Sequence, residues 1–173
     1  MAIIEALETT YLEADAASVT FSSISASYEH LQIRLSAKSD RNYYYDPIDL
    51  TLNTDTTAGN YSGAMLNAQN TTESGYSYSG LYIQALAGDG DVGGTVVATS
   101  YATMVWDFFD YANTNKNTSW QLSSYVPVVE PTMFLGGGSW DNTAAVATIK
   151  LEPRNGTNFV RGSEFTLYGI KSS

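Results

Sequence analysis

The single histidine of this 173-residue chain, His30, is the first place to look for proton-transfer or nucleophilic chemistry. A Ser-His-Asp arrangement needs a histidine within hydrogen-bond reach of a nucleophile and a carboxylate. His30 opens the segment "HLQIRLSA" after Tyr28 and Glu29, with no nucleophile motif around it, and reads as a polar-face strand residue. Paired carboxylates are the second option. Asp107 and Asp110 in "WDFFDY" lie three residues apart, so on one strand they point to opposite faces and do not flank one glycosidic bond. They read as acids hydrogen-bonded to nearby loop backbone. "GDGDVGG" sets Asp89 and Asp91 at a calcium-like spacing, but a complete calcium loop also needs a third oxygen ligand and a bidentate glutamate. It reads as a turn with two surface acids. There is no cysteine, which removes disulfides, thiolate ligands and thiol nucleophiles, and one histidine does not build a zinc site. No glycine-rich phosphate loop carries its lysine. These residues point to no enzyme, no metal and no cofactor.

Tyrosine is plentiful, at 13 residues. Tyr43, Tyr44 and Tyr45 fall in a predicted loop, "KSDRNYYYD", and Tyr76 and Tyr78 in a second, "AQNTTESGYSYSG". Tyrosine is enriched at interfaces because it buries a large area at low entropic cost. Its ring also stacks on sugar rings. Tyr43, Tyr44 and Tyr45 are therefore candidate partner-binding residues; alternatively, the same rings pack on a sheet edge. A second candidate set is Ile3, Ile4, Leu7 and Tyr11. Their spacing suits one helix face, but Thr9-Thr10-Tyr11 favours a strand. Residues 1–14 are predicted to form an N-terminal arm or edge strand, able to add to an exposed sheet edge of a neighbour.

The elements that must position these residues are strands. "SVTFSSI", "EHLQIRLSA", "PIDLTLN", "SGLYIQALAG", "YATMVWDFFDYA", "TSWQLSSYV", "TMFLGG", "TAAVATIKLEP" and "GSEFTLYGI" all carry strand-like runs. Leu31, Ile33, Leu35 and Ala37 share one face, as do Ile48, Leu50 and Leu52, and Ala147, Ile149 and Leu151. "YATMVWDFFDYA" has aromatic residues on both faces, which predicts a central strand covered twice. "AGN", "GDGDVGG", "GGG" (Gly136–Gly138) and "PRNG" supply turn signals. In the last strand Phe165 and Leu167 should enter the core, with a bulge near Gly169 returning Ile170 to it. The expected fold is all-β: a single-domain antiparallel β-sandwich spanning 15–173, jelly-roll-like, preceded by the short arm.

Composition sets further limits. Charged residues are 15% of the chain, well below the usual quarter or so, so the polar surface is mostly Ser, Thr, Asn and Gly. The net charge of -10 lacks the dense basic patch that phosphate-backbone binding needs, which argues against a nucleic-acid partner. The opening residues carry Glu5, Glu8, Glu13 and Asp15 and lack a signal peptide's basic region. No apolar run approaches the ~20 residues of a membrane-spanning helix, so no membrane partner is expected.

Four stretches carry a family resemblance: "YEHLQIRLSAKS", "DFFDYANTNK", the Gly-Gly-Gly and Trp140 segment, and "FVRGSEFTLYGIK". In this order they resemble a family of small all-β bacteriophage structural proteins of virion, head-decoration and tail-fibre type. The resemblance covers Thr9 to Lys171. It implies a non-enzymatic virion component with a jelly-roll-like sandwich and carries over no catalytic residue. No heptad stem accompanies the sandwich, so a capsid decoration or cement protein is the first expectation. It would be a homo-oligomer on the outside of the head, bound to the major capsid protein. The alternative is a tail-fibre tip or receptor-binding module recognising host surface glycans through its tyrosines.

Overall fold

Alternation decides where each strand of this chain goes. In the segment His30–Ala37, Leu31, Ile33, Leu35 and Ala37 are buried while Arg34 and Ser36 are exposed. In Thr118–Val126 every second residue is buried along the whole strand. The computed structural model describes residues 3–69, 71–87, 100–127 and 131–171. Its strands are β1 (Ile3–Tyr11), β2 (Val19–Phe21), β3 (His30–Ala37), β4 (Tyr45–Leu52), β5 (Tyr61–Gln69), β6 (Thr72–Ser79), β7 (Tyr82–Ala87), β8 (Ala102–Phe109), β9 (Thr118–Val126), β10 (Thr132–Trp140), β11 (Ile149–Pro153) and β12 (Glu164–Lys171). The asparagine and glycine of "AGN" form a 3-10 turn, Ala58–Asn60.

Eight strands form one antiparallel sheet in the order β1-β12-β3-β8-β9-β10-β5-β6, and four form the other, β2-β11-β4-β7. If the hairpins β5–β6 and β9–β10 are set aside, what remains is β1-β12-β3-β8 facing β2-β11-β4-β7. The pairs β1·β12, β2·β11, β3·β8 and β4·β7 are all hydrogen-bonded antiparallel. That is a long ribbon wound so that successive pairs fall in alternate sheets, the jelly-roll arrangement. The two hairpins occupy the β4-to-β7 and β8-to-β11 connections. Both extend the same sheet, so the larger sheet outruns the smaller one.

The core lies between the sheets. Trp106 and Phe108 of β8 stack with ring centroids 4.9 Å apart, and Tyr61 lies 6.4 Å from Trp120 and 6.5 Å from Trp140. From β11 and β12, Ile149, Leu151, Phe165 and Leu167 complete it, with Phe159 edge-on to Phe165 at 4.9 Å. Each large apolar side chain so buried contributes about 1.5–3 kcal/mol relative to exposure.

Several local expectations are corrected. Gly136–Gly138 is not a turn but the middle of β10. A Cβ at Gly138 would sit 2.4 Å from the Ser62 carbonyl and 2.7 Å from Trp120 Cζ2, so glycine here makes room for an indole. "AQNTTESGYSYSG" is not a loop: Thr72–Ser79 is β6, and the segment before it, Tyr61–Gln69, is a further strand, β5. Small residues hide these strands from periodicity, because their register comes from backbone pairing, β5 with β10 and β6 with β5. β8 is central, but only one face is covered; Val105 and Phe109 remain exposed on the other. Ala147 is exposed and Val146 is buried in its place, since β11 begins only at Ile149. The bulge lies in β1 rather than β12, whose pairing with β3 runs unbroken from Glu164 to Ile170. Gly169 is required instead by Tyr28, whose ring would lie 2.4 Å from a Cβ. Asp89 and Asp91 lie outside the described residues.

One carboxylate ties the hairpin extension to the small sheet. Asp55 accepts hydrogen bonds from Asn60 Nδ2 and Trp140 Nε1, both at 2.8 Å, and from the Thr57 amide at 2.9 Å. The Asn60 and Trp140 bonds, foremost, hold its carboxyl at about 2. An unfolded aspartate titrates near 3.9. The folded state therefore gains stability that is fully present above about pH 4 and is lost as pH falls toward 2. Thermal melts between pH 6 and pH 2 should show Asp55→Asn with a lower Tm than wild type at pH 6 and a smaller loss on acidification. Parallel Tm curves would contradict this assignment.

Candidate docking face and aromatic pocket

The outer face of the larger sheet, turned away from the smaller one, stands open across six strands among the described residues. One cross-strand row runs Arg34–Val105–Ser123–Leu135–Leu66–Gly75 through β3, β8, β9, β10, β5 and β6. The next runs Ser36–Thr103–Tyr125–Met133–Ala68–Glu73. Leu66, Met133 and Leu135 are 62%, 58% and 52% exposed, and Val105 and Tyr125 join them. The outward positions of β9, β10 and β5 are Ser, Gln, Tyr, Met, Leu, Gly and Ala, without a charge among them. In a chain of net charge -10, this is a surface kept free of the charges found elsewhere. A contiguous exposed apolar patch rimmed by polar residues marks an interaction surface. Periodicity alone missed it, because two of its strands went unrecognised.

The predicted arm residues lie at one edge of the same sheet. β1 pairs with β12 and takes the last place in the strand order. Ile3, Ile4 and Tyr11 are exposed, at 49%, 55% and 54%. As neighbours in a strand, Ile3 and Ile4 point to opposite faces, so neither face of β1 is covered there. Leu7 differs. It is skipped in the pairing between Ala6 and Glu8, and this bulge turns it to pack partly buried against the core. An edge strand with exposed apolar residues is a template for strand addition, tempered here by Glu5 and Glu8.

Comparison with protein-family models returns no match. Comparison with curated proteins likewise returns none.

The tyrosine loop is anchored rather than free, which corrects its reading as an exposed loop. Lys38, Ser39 and Asp46 are buried. Asp40 accepts the amides of Thr157 at 2.6 Å and Asn158 at 3.0 Å, and also Asn158 Nδ2. Asp46 accepts the amides of Asn155 and Gly156 at 3.1 and 2.9 Å and Asn155 Nδ2 at 2.9 Å. The predicted turn "PRNG" thus serves as the floor of the tyrosine loop. Arg41 lies 4.4 Å over the Tyr43 ring, donates to the Tyr45 carbonyl at 2.9 Å and stands 3.8 Å from Asp46.

On this platform Tyr43 stacks on Tyr44 at 4.3 Å, Tyr44 meets Tyr45 at 4.9 Å, and Tyr45 lies 5.9 Å from Phe134 of β10. A hydrogen bond with the Tyr44 phenol, followed by desolvation, pushes the Tyr43 phenol up to about 12, and burial raises Tyr45. Both are neutral groups at ordinary pH. Tyr44 and Tyr45 line a cavity of about 250 Å³ with Tyr76 of β6. Its polar wall comes from Asn67 and Gln69 of β5, Ser74 of β6 and Thr132 of β10. Tyr43 braces the stack without lining the cavity. Tyr78, grouped with Tyr76 by sequence, is buried against Gly63 instead.

The candidate catalytic residues do not converge. His30 Nδ1 accepts the Asp110 amide at 3.1 Å, and Asp110 Oδ1 approaches the same nitrogen to 4.0 Å. Asp110 pairs with Lys116, which lowers its pKa. Asp107 accepts Gln32 Nε2 at 2.6 Å across the β3–β8 pairing, a side-chain partner where loop backbone was expected. Each acid is satisfied by a structural partner.

Proposed function

We propose that this chain is a non-enzymatic bacteriophage virion protein that decorates the outside of the head, binding the major capsid protein through the outer face of its larger sheet. The observation that carries the reading is the uncharged apolar surface of Leu66, Val105, Tyr125, Met133 and Leu135 on a jelly roll, a fold used by viral capsid domains. The four-stretch resemblance to phage structural proteins supports it. So does the open edge of β1, where Ile3 and Ile4 can contact a neighbour.

Magnitude favours several copies acting together. Burying these five side chains yields on the order of 1.5–3 kcal/mol each at best. Association costs roughly 4–15 kcal/mol in lost freedom. A single copy therefore binds weakly, and a symmetric cluster gains its hold through multivalency. With no charge on the central strands of the face, the -10 of each copy opposes docking least there.

Two measurements test the proposal. Antibody-labelled particles in negative stain should show label on the head; label confined to the tail rejects the reading. Leu135→Asp places a charge in the middle of the face at an exposed position. It should leave the melting temperature within a few degrees of wild type and weaken binding to undecorated heads by about tenfold or more. Undiminished binding would remove this face from the interface.

A further inference from the structure

Asn155 and Gly156 are the one Asn-Gly pair in the chain, and both sit under the tyrosine loop. We infer that Asn155 is a latent modification site: it deamidates when the tyrosine loop opens, and Asp46 prevents the reaction while the loop is anchored. In the reaction the Gly156 nitrogen gives up its proton and bonds to Asn155 Cγ. The Cγ–Nδ2 bond breaks, and Nδ2 takes up a proton and leaves as ammonia. Water then adds to the cyclic imide and opens it at either carbonyl, which leaves aspartate or isoaspartate at 155. One water enters and one ammonia leaves; no oxidant or reductant is needed. Glycine at 156 favours the ring closure, because no Cβ hinders the approach of its backbone.

Three contacts oppose that closure. Gly156 N donates to Asp46 Oδ2 at 2.9 Å, and Asn155 N and Nδ2 donate to Asp46 Oδ1 at 3.1 and 2.9 Å. The attacking nitrogen therefore has its proton committed to a fully buried carboxylate. Removing that proton would set an amide anion beside a negative charge, and a like charge at this distance disfavours the ionised form. The leaving nitrogen is held by the same carboxylate, which restrains the side chain from turning onto its neighbour. Access of water is not the obstacle, since Asn155 is exposed. Nor does a larger residue at 156 offer a way out. A Cβ there would meet Asp40 Oδ1 at 2.7 Å, so the glycine is kept for space and the reactive pair is kept with it. The product does not go back. Its new carboxylate faces Asp46 where a donor stood, and two like charges replace a hydrogen bond. Asp46 directly follows Tyr45, so the repulsion reaches the stacked tyrosines. Each opening of the loop thus carries a chance of releasing it for good. The inference does not rest on the capsid reading and holds at head or tail.

The test ages the whole chain in mildly alkaline buffer and reads Asn155 by peptide mass mapping, which detects the change from amide to acid. Folded wild type should deamidate there at least about tenfold more slowly than the same chain in urea, because the reaction waits for local opening. Asp46→Asn should recover much of the unfolded rate while still folded. Asp40→Asn loosens the same loop from an exposed carboxylate, should also speed the reaction, and decides the matter if Asp46→Asn does not fold. Leu31→Ala removes a fully buried side chain at the far end of β3 from the loop and should leave the rate low, which separates loop release from general loss of stability. Equal rates in folded and unfolded wild type overturn the inference, as does equal acceleration by Leu31→Ala and the loop variants. A slower reaction in Asp46→Asn also overturns it, since Asp46 would then be the base that drives ring closure. Asn155→Asp, which mimics the product, should fold with a lower urea midpoint and shifted Tyr43 and Tyr44 ring resonances. A product indistinguishable from wild type would show that deamidation releases nothing and would overturn the switch.

Discussion

Deleting Phe165–Ile170 abolishes cooperative folding. These residues form most of β12, which is not an edge but lies between β1 and β3, hydrogen-bonded on both sides. Their loss strands β1 entirely and turns β3 into a raw edge. It also removes Phe165 and Leu167, which are 0% and 2% exposed. Truncating a buried Phe costs about 3–5 kcal/mol and a buried Leu about 2–5 kcal/mol. A domain's whole stability is about 5–15 kcal/mol. Two side chains and two strand ladders together exceed it. Circular dichroism and the soluble fraction decide the matter: a soluble truncation with a sigmoidal melt would show that β12 is dispensable. The graded version, Phe165→Ala, should fold and lose about 3–5 kcal/mol in urea unfolding, since Phe159 loses the ring packed edge-on against it.

The second large effect is expected at Asp46. Its carboxylate is 0% exposed and accepts two backbone amides and one side-chain amide, with Arg41 at 3.8 Å. Asp46→Ala removes the acceptor and keeps the donors, together with a partly buried guanidinium. Breaking one partner of such an arrangement costs about 3–5 kcal/mol. Asp46→Asn is the sharper variant. It has nearly the same shape, but one oxygen becomes an NH2 group facing the amides of residues 155 and 156. It should cost a large part of the same energy, measured as a lower urea midpoint at unchanged slope. Because Asp46 directly follows Tyr45, either variant should also loosen the aromatic stack. Loss of stability with the Tyr44 and Tyr76 environments unchanged would mean that the loop is held by Asp40 alone.

Gly156 shows how closely this arrangement is built. A Cβ there would lie 2.7 Å from Asp40 Oδ1 and 3.1 Å from both the Arg41 amide and Asp46 Oδ2. In sequence, "PRNG" announces only a turn. In the fold, its glycine lets two aspartates close on four successive amides, Asp46 on those of 155 and 156 and Asp40 on those of 157 and 158, and these hold the tyrosines in place.

The reach of sequence reasoning follows from where its signals come from. Alternating large apolar residues determine β2, β3, β4, β9 and β12 almost residue by residue, because burial of one face is itself the physical cause of the pattern. An all-β class and a sandwich were legible in the same way. β5 and β6 were not. Ser, Gly and Ala carry little hydrophobic signal, and those strands exist because β10 offers a backbone ladder to β5 and β5 offers one to β6, while aromatic neighbours need the space that glycine leaves. The tyrosine clusters were visible as composition, but sequence could not tell that Tyr44, Tyr45 and Tyr76 share a cavity while Tyr78 enters the core. That separation depends on the register of β5 and β6 and on two carboxylates binding a loop more than 100 residues away. The docking face was likewise decided only in three dimensions. Two hairpins, inserted at different points of the ribbon, both join one sheet, and this sets apolar residues from three of their strands side by side on its outer face, exposed among the described residues.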